Sequence, residues 1–208
     1  MRKTTTHNSK VVLDITMSLD GYIAGPNDTG KQLHHWLFSG DTPSVYNDFF
    51  KLAKKNAKVF DNFIKNTGAI VTGRHTYDIT GGWGGNHPFP GIPVFVVTSH
   101  IPKKVPKGST PFTFISDGIK TAVRQARKAA GKKNVYILGG ANIAQQCITA
   151  GLLDEMTIHL VPTLIGGGVS LFGHLEKQIK MEQAKITEAP GVTHLQFLLK
   201  SFFGVGAK

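Results

Sequence analysis

The sequence predicts an α/β fold, with a mostly parallel central sheet, helices on both faces and an antiparallel C-terminal edge. Three observations carry this. Short apolar runs alternate with stretches of helical spacing through the early part of the chain. The runs at residues 93–98 and 134–138 are too apolar for a sheet with one face in water. The final part is rich in strand-type residues and bends at Gly191, as an antiparallel pair does.

Each element follows from local chemistry. Residues 11–17 read as a first, mostly buried strand, and residues 18–28 as a loop broken by Gly and Asn-Asp. Pro43-Ser44 opens a stretch in which Val45, Phe49, Leu52 and Ala53 recur at helical spacing. A second helix is expected around Val59, Phe60, Phe63 and Ile64, then a strand at 69–72 and a Gly/Pro loop at 81–91. Further strands are expected at 93–98 and 112–115. Asp117 is placed to cap a helix carrying Ile119, Ala122, Val123 and Ala126, which Gly131 stops. A strand at 134–138 leads into a helix through Ile143, Cys147 and Ile148. A long strand covers 154–164, and the pair 180–188 and 192–200 follows the Gly166-Gly167-Gly168 turn. One domain spanning 11–203, after a disordered lead-in at 1–10, is the economical organisation.

Composition narrows the function classes. With 208 residues, 40% of them hydrophobic, the chain can bury a sizeable core. A single cysteine, Cys147, excludes an intrachain disulfide framework and reads as a buried, inert thiol. The first ten residues lack the apolar centre of a signal peptide, and no apolar run is long enough to span a bilayer, so a cytoplasmic protein without membrane partners is expected. The formal charge of +11 invites nucleic acid, but the lysines are scattered and no nucleic-acid motif accompanies them. An anionic small ligand is the better reading. No Cys or His pair has zinc-like spacing, so no metal is expected.

The strongest functional signal is the stretch Ala69-Ile70-Val71-Thr72-Gly73-Arg74-His75-Thr76, where a strand runs through a glycine into a cation, an imidazole and a hydroxyl. Such a corner presents free backbone N–H groups and side-chain donors suited to phosphate. A second corner, Leu138-Gly139-Gly140-Ala141-Asn142, is of the same kind. Two of them point to a dinucleotide with an extra phosphate, NADPH.

The segments Met17-Ser18-Leu19-Asp20-Gly21-Tyr22-Ile23-Ala24-Gly25, Thr72-Gly73-Arg74-His75-Thr76-Tyr77-Asp78, Val96-Val97-Thr98-Ser99, Tyr136-Ile137-Leu138-Gly139-Gly140-Ala141, Gly151-Leu152-Leu153-Asp154-Glu155 and Pro162-Thr163-Leu164-Ile165-Gly166-Gly167-Gly168 occur in that order. In this the chain resembles the dihydrofolate reductase superfamily, in the branch similar to the C-terminal reductase domain of riboflavin-biosynthesis deaminase–reductases. The resemblance implies a sheet of about eight strands, NADPH as hydride source and a small pterin- or pyrimidine-like heterocycle as substrate. It implies that Gly73, Arg74, His75 and Thr76 meet the 2′-phosphate and pyrophosphate. Thr98 and Ser99 would lie beside the adenosine, and Gly139, Gly140, Ala141, Asn142 and Ile143 under the pyrophosphate. Thr16, Ile23 and Ala24 would hold the nicotinamide amide.

At the substrate end, Asp20 matches a loop acid that faces substrate in the riboflavin-pathway enzymes. Asp41 follows Trp36 at the spacing that folate reductases use for their pterin-binding acid. Trp36, Trp83 and Phe89 are candidates for stacking on a flat ring. Leu138 is a departure, because the riboflavin-pathway enzymes carry a glutamate there. The alternatives are therefore 5-amino-6-(5-phosphoribosylamino)uracil reduction itself, and a non-catalytic module that binds a polyanion. A homodimer is expected through an apolar edge of Phe197, Leu198, Leu199, Phe202 and Phe203.

Overall fold

Strand alternation decides the layering. The computed structural model describes residues 9–199 except 174, 176 and 177. In chain order the elements are β1 (Val11–Ser18), β2 (Tyr22–Ala24), β3 (Thr42–Pro43), β4 (Lys51–Leu52), α1 (Lys54–Asn66), β5 (Thr67–Gly73), α2 (Arg74–Ile79), β6 (Val94–Val97), β7 (Phe112–Ile115), α3 (Ile119–Ala130), β8 (Asn134–Leu138), α4 (Ala141–Thr149), β9 (Glu155–Val161), β10 (Val169–Ser170), β11 (Met181–Ala189) and β12 (Val192–Leu199). The main sheet has eight strands in the order β11-β12-β9-β1-β8-β5-β6-β7. From β9 to β7 neighbours run parallel, whereas β12 meets both β9 and β11 antiparallel. The architecture is dihydrofolate reductase-like, as expected.

On one face Leu13, Val71 and Ile137 pack with Ile119 and Val123 of α3 and Ile143 and Cys147 of α4. Burial pushes the Cys147 thiol up to about 12, which leaves it inert. On the other face Ile70, Val94 and Val96 pack with Ala57, Phe60 and Ile64 of α1 and with Leu33 and Trp36 of a 3-10 turn at Lys31–Leu37. That second face is not apolar throughout. Over β1, β9 and β12 it carries Asp14, Thr16, Thr157, His159 and His194, all buried but Asp14, which is partly exposed.

Three local expectations are corrected. The stretch after Pro43 is not helical. Thr42–Pro43 pairs with Lys51–Leu52, and the Ser44 amide donates to the Phe50 carbonyl (3.0 Å) to close the hairpin. Ser44 Oγ donates to Asp61 (2.5 Å) and Asn47 Nδ2 to the Pro88 carbonyl (3.0 Å), which tether the loop. Val45 and Phe49 are exposed while Leu52 is fully buried, so the helix-spaced residues share no common face. Asp117 does not cap α3, because Gly118 with φ +83° is the cap and no side chain bonds the first turn. The strand after residue 154 ends at Val161, where Pro162 has no N–H to continue the ladder.

Of the expected lead-in, Ser9 is buried and Lys10 pairs with Glu155 (2.9 Å), while residues 1–8 lie outside the described residues. Of the expected dimer edge, Phe197 and Leu199 pack against the first core, and Phe202 and Phe203 lie outside the described residues. No helix among the described residues is long and apolar enough to cross a membrane.

Candidate functional site

Two cavities open beside each other at the C-terminal ends of the parallel strands. The first, about 520 Å³, is lined by Gly73, Arg74, His75 and Thr76 from the β5–α2 corner, by Thr98 and Ser99 after β6, and by Gly140, Asn142 and Ile143 from the β8–α4 corner. The second, about 310 Å³, is lined by Trp36, Phe60, Trp83, Phe89 and Tyr136, with Thr16, Leu138 and Gly139 beside them. Thr76 lines both.

The glycine corner is shaped for close approach. Gly139 (φ +58°) and Gly140 (φ +76°) take left-handed conformations, and a Cβ at either would stand 3.4 Å from Thr76 Oγ1. Gly140 caps α4 without any side-chain hydrogen bond to the first turn. This corner therefore offers uncapped backbone donors at the positive end of a helix. Arg74 stands at the mouth of the first cavity. Its Nε donates to both oxygens of Asp78 (2.7 and 2.8 Å) and its Nη1 to the His100 carbonyl (2.6 Å). His75 leans outward, with Nε2 2.8 Å from Asp28 Oδ2.

Ala141 is buried at the start of α4, outside the cavity lining. Ile23 and Ala24 lie on β2, which pairs with β10, and line neither cavity.

The structure brings neither expected acid to the aromatic cavity. The Asp20 carboxylate accepts from Ser18 Oγ (2.5 Å), from the Gly166 amide (2.7 Å) and from the Ile165 amide (3.0 Å). Those bonds, the Ser18 hydroxyl first, hold its carboxyl below the ordinary carboxylate range. Asp20 thus ties the turn after β1 to the loop before β10. Asp41 is exposed beside the hairpin and accepts from the Thr42 hydroxyl (3.2 Å). The helix start that its spacing implied does not form.

The acid that does line the cavity is Asp14, from the middle of β1, and His159 of β9 stands with it. His159 Nε2 lies 2.8 Å from Asp14 Oδ1, and the two side chains are only 6% and 11% exposed. Trp36 packs over His159 (ring centroids 4.8 Å apart), and its indole N–H donates to Thr16 Oγ1 (3.3 Å). Burial, and then the charge of Asp14, pushes the Tyr136 phenol well up, so it stays protonated. A signal for this pair does exist in the sequence. Asp14 and Thr16 in β1, and Glu155, Thr157 and His159 in β9, alternate with apolar residues, which marks one polar face on strands that are buried.

A family profile described as the RibD C-terminal domain matches residues 9–195. The chain belongs to that family. Among curated proteins it is 26% identical to the uncharacterised Bacillus subtilis (strain 168) protein YwjB over 174 residues, covering 83% of this chain and 87% of YwjB. A crystal structure from Shewanella sp. PV-4, provisionally named for riboflavin biosynthesis, superposes with a TM-score of 0.72 at 25% identity, over 92% of this chain and 99% of that one. Enterococcus faecalis dihydrofolate reductase, in complex with NADP(H), superposes with a TM-score of 0.56 at 14% identity, over 93% and 97% of the two chains, and shows the shared fold. Family and fold together make this an oxidoreductase-type scaffold of the riboflavin-pathway reductase kind. No group of three or more His, Cys, Asp or Glu among the described residues could hold a metal.

Proposed function

We propose that the protein is an NADPH-dependent reductase of a small, flat heterocycle. One observation carries this reading: a glycine-cornered, donor-rich cavity and an aromatic cavity meet at Thr76. An elongated ligand with phosphates in the first would reach past Thr76 toward a ring in the second. The Cβ-free floor at Gly139 and Gly140 fits a pyrophosphate, and Thr98 and Ser99 fit the adenosine side. When bound, NADPH supplies a hydride. The protein's own part is to position the two rings, exclude water and manage the proton.

Phosphoribosylaminouracil reduction is the less favoured substrate assignment. Leu138 lines the aromatic cavity, at the place where the riboflavin-pathway enzymes carry a glutamate, and an alkyl group cannot hydrogen-bond a ribityl or uracil substituent.

The test is a fluorescence titration with NADPH and NADH. NADPH is expected to bind more tightly, and Arg74→Ala should narrow the gap by roughly tenfold, about 1.4 kcal/mol. Equal or absent binding of the two coenzymes would remove the reading. Failure to complement a strain lacking the riboflavin-pathway reductase is expected, and complementation would restore that substrate.

A further inference from the structure

Beneath Trp36 a file of buried polar side chains crosses the sheet. It begins on α1, at Asn56, which is fully buried. Asn56 Nδ2 donates to the Pro190 carbonyl (3.2 Å), and Asn56 Oδ1 lies 3.0 Å from His194 Nε2. His194 Nδ1 lies 2.7 Å from His159 Nδ1, and His159 Nε2 lies 2.8 Å from Asp14 Oδ1.

Hydrogen-bond parity settles where the protons are. The Pro190 carbonyl can only accept, so it fixes the Asn56 amide with its NH₂ toward Pro190 and its oxygen toward His194. His194 Nε2 must then carry a hydrogen. Burial, with His159 adjacent, pushes His194 down to about 3, so its ring is neutral and its Nδ1 is bare. A bare Nδ1 requires a donor, which makes His159 Nδ1 an N–H. The remaining contact sets His159 Nε2 against the Asp14 carboxylate. With Nδ1 already protonated, a neutral His159 and an ionised Asp14 would face each other with two lone pairs 2.8 Å apart. One further proton has to lie between them.

We infer that Asp14 and His159 hold a stored proton at the floor of the aromatic cavity and deliver it to the substrate during reduction. This rests on the reductase reading above. Reduction of a C=N or C=O bond puts a hydride on carbon and moves the π pair to the heteroatom. The heteroatom then takes the shared proton, and the pair is left as an Asp14 carboxylate and a neutral His159. That spent state has the facing lone pairs just described, so it reloads.

A reloading route is present. Asp14 and His194 also line a second, wider groove of about 830 Å³ between α1 and the sheet, with Lys10, Lys55, Lys58, Lys185 and Glu155 around it. Asp14 is thus a wall shared by the two cavities. The other titratable groups that line the aromatic cavity are His34, on the same 3-10 turn as Trp36, His87, and Tyr136, which stays protonated.

The experiment is ¹⁵N spectroscopy of the histidine rings at pH 7.5, without coenzyme, with ¹³C shifts of the Asp14 carboxyl. The expected pattern is His194 protonated at Nε2 only, His159 protonated at Nδ1, and one more proton on His159 Nε2 or Asp14. In Asp14→Asn the new amide donates to Nε2, so His159 should become the neutral Nδ1–H form. NADPH binding in that variant should stay within about twofold of the parent, while any turnover found later should fall by roughly 10²-fold or more. A parent protein whose His159 is protonated at Nε2 alone, beside an ionised Asp14, overturns the proposal. A parent that binds NADPH yet lacks the extra proton overturns it without touching the reductase reading. A parent that holds the proton but binds no NADPH removes that reading, and with it the pair's role as donor.

Discussion

Gly140 condenses the case for a phosphate corner into one residue. Its φ of +76° is a conformation that costs an L-residue roughly 1 kcal/mol, and its missing Cβ keeps open the space 3.4 Å from Thr76 Oγ1. Gly140→Ala is therefore expected to lower stability by about 1 kcal/mol in denaturant titrations. It should weaken NADPH binding by clearly more than tenfold, since the methyl group stands where a pyrophosphate would press on the backbone. Equal losses in the two measurements would reduce the corner to a structural turn. Asp20 and Asp41 teach the complementary lesson. An acid beside Gly21, or five positions after a tryptophan, satisfies a linear pattern, yet Asp20 is consumed by backbone amides and Asp41 sits outside the cavity.

At the level of elements, the 3-10 turn at Lys31–Leu37 matters most, because it delivers Trp36 over the polar patch of the sheet. The indole packs on His159 and on His194 (ring centroids 4.8 and 5.3 Å away) and donates to Thr16 Oγ1. Trp36→Phe keeps a ring but drops that hydrogen bond, and should cost about 1 kcal/mol. Trp36→Ala opens a cavity and should cost about 3–5 kcal/mol, read as a shift in denaturant midpoint at unchanged slope. The sheet and both glycine corners were legible because apolar runs ending in glycine are local signals, and Gly131, a stop for α3, is likewise local. The hairpin of β3 and β4 was not legible. Its loop is held by Asp61 and by the Pro88 carbonyl, and exposed aromatics around it meet edge to face, as Phe38 and Phe49 do (5.3 Å). Of the Asp14–His159–His194–Asn56 file only the polar positions on β1 and β9 were legible, since its members come from four elements and only the folded sheet brings them into contact.

For the molecule as a whole, buried imidazoles set the acid limit of stability. Burial holds His87 down to about 4, where its Nδ1 accepts from the Phe89 amide (3.0 Å), and His194 is held at about 3. In the unfolded chain both would titrate near 6.5, the ordinary histidine value. Between those limits the unfolded state binds more protons than the folded one, so protonation favours unfolding. The stability contributed by keeping the two rings neutral is complete above about 6.5, is lost progressively as pH falls, and levels off below the folded values. The net charge of +11 pushes the same way as acid is added, through self-repulsion, but that part is screened by salt. Thermal unfolding in about 0.5 M salt, where the Debye length is only a few ångströms, separates the two. The melting temperature should fall steadily from pH 7 to pH 4.5. In His87→Gln, whose side-chain carbonyl can still accept from Phe89, the fall should be visibly shallower. A flat profile in the parent, or an identical slope in the variant, would mean that water reaches these rings in the folded protein and that the layer around Trp83 and Phe89 is looser than its packing implies.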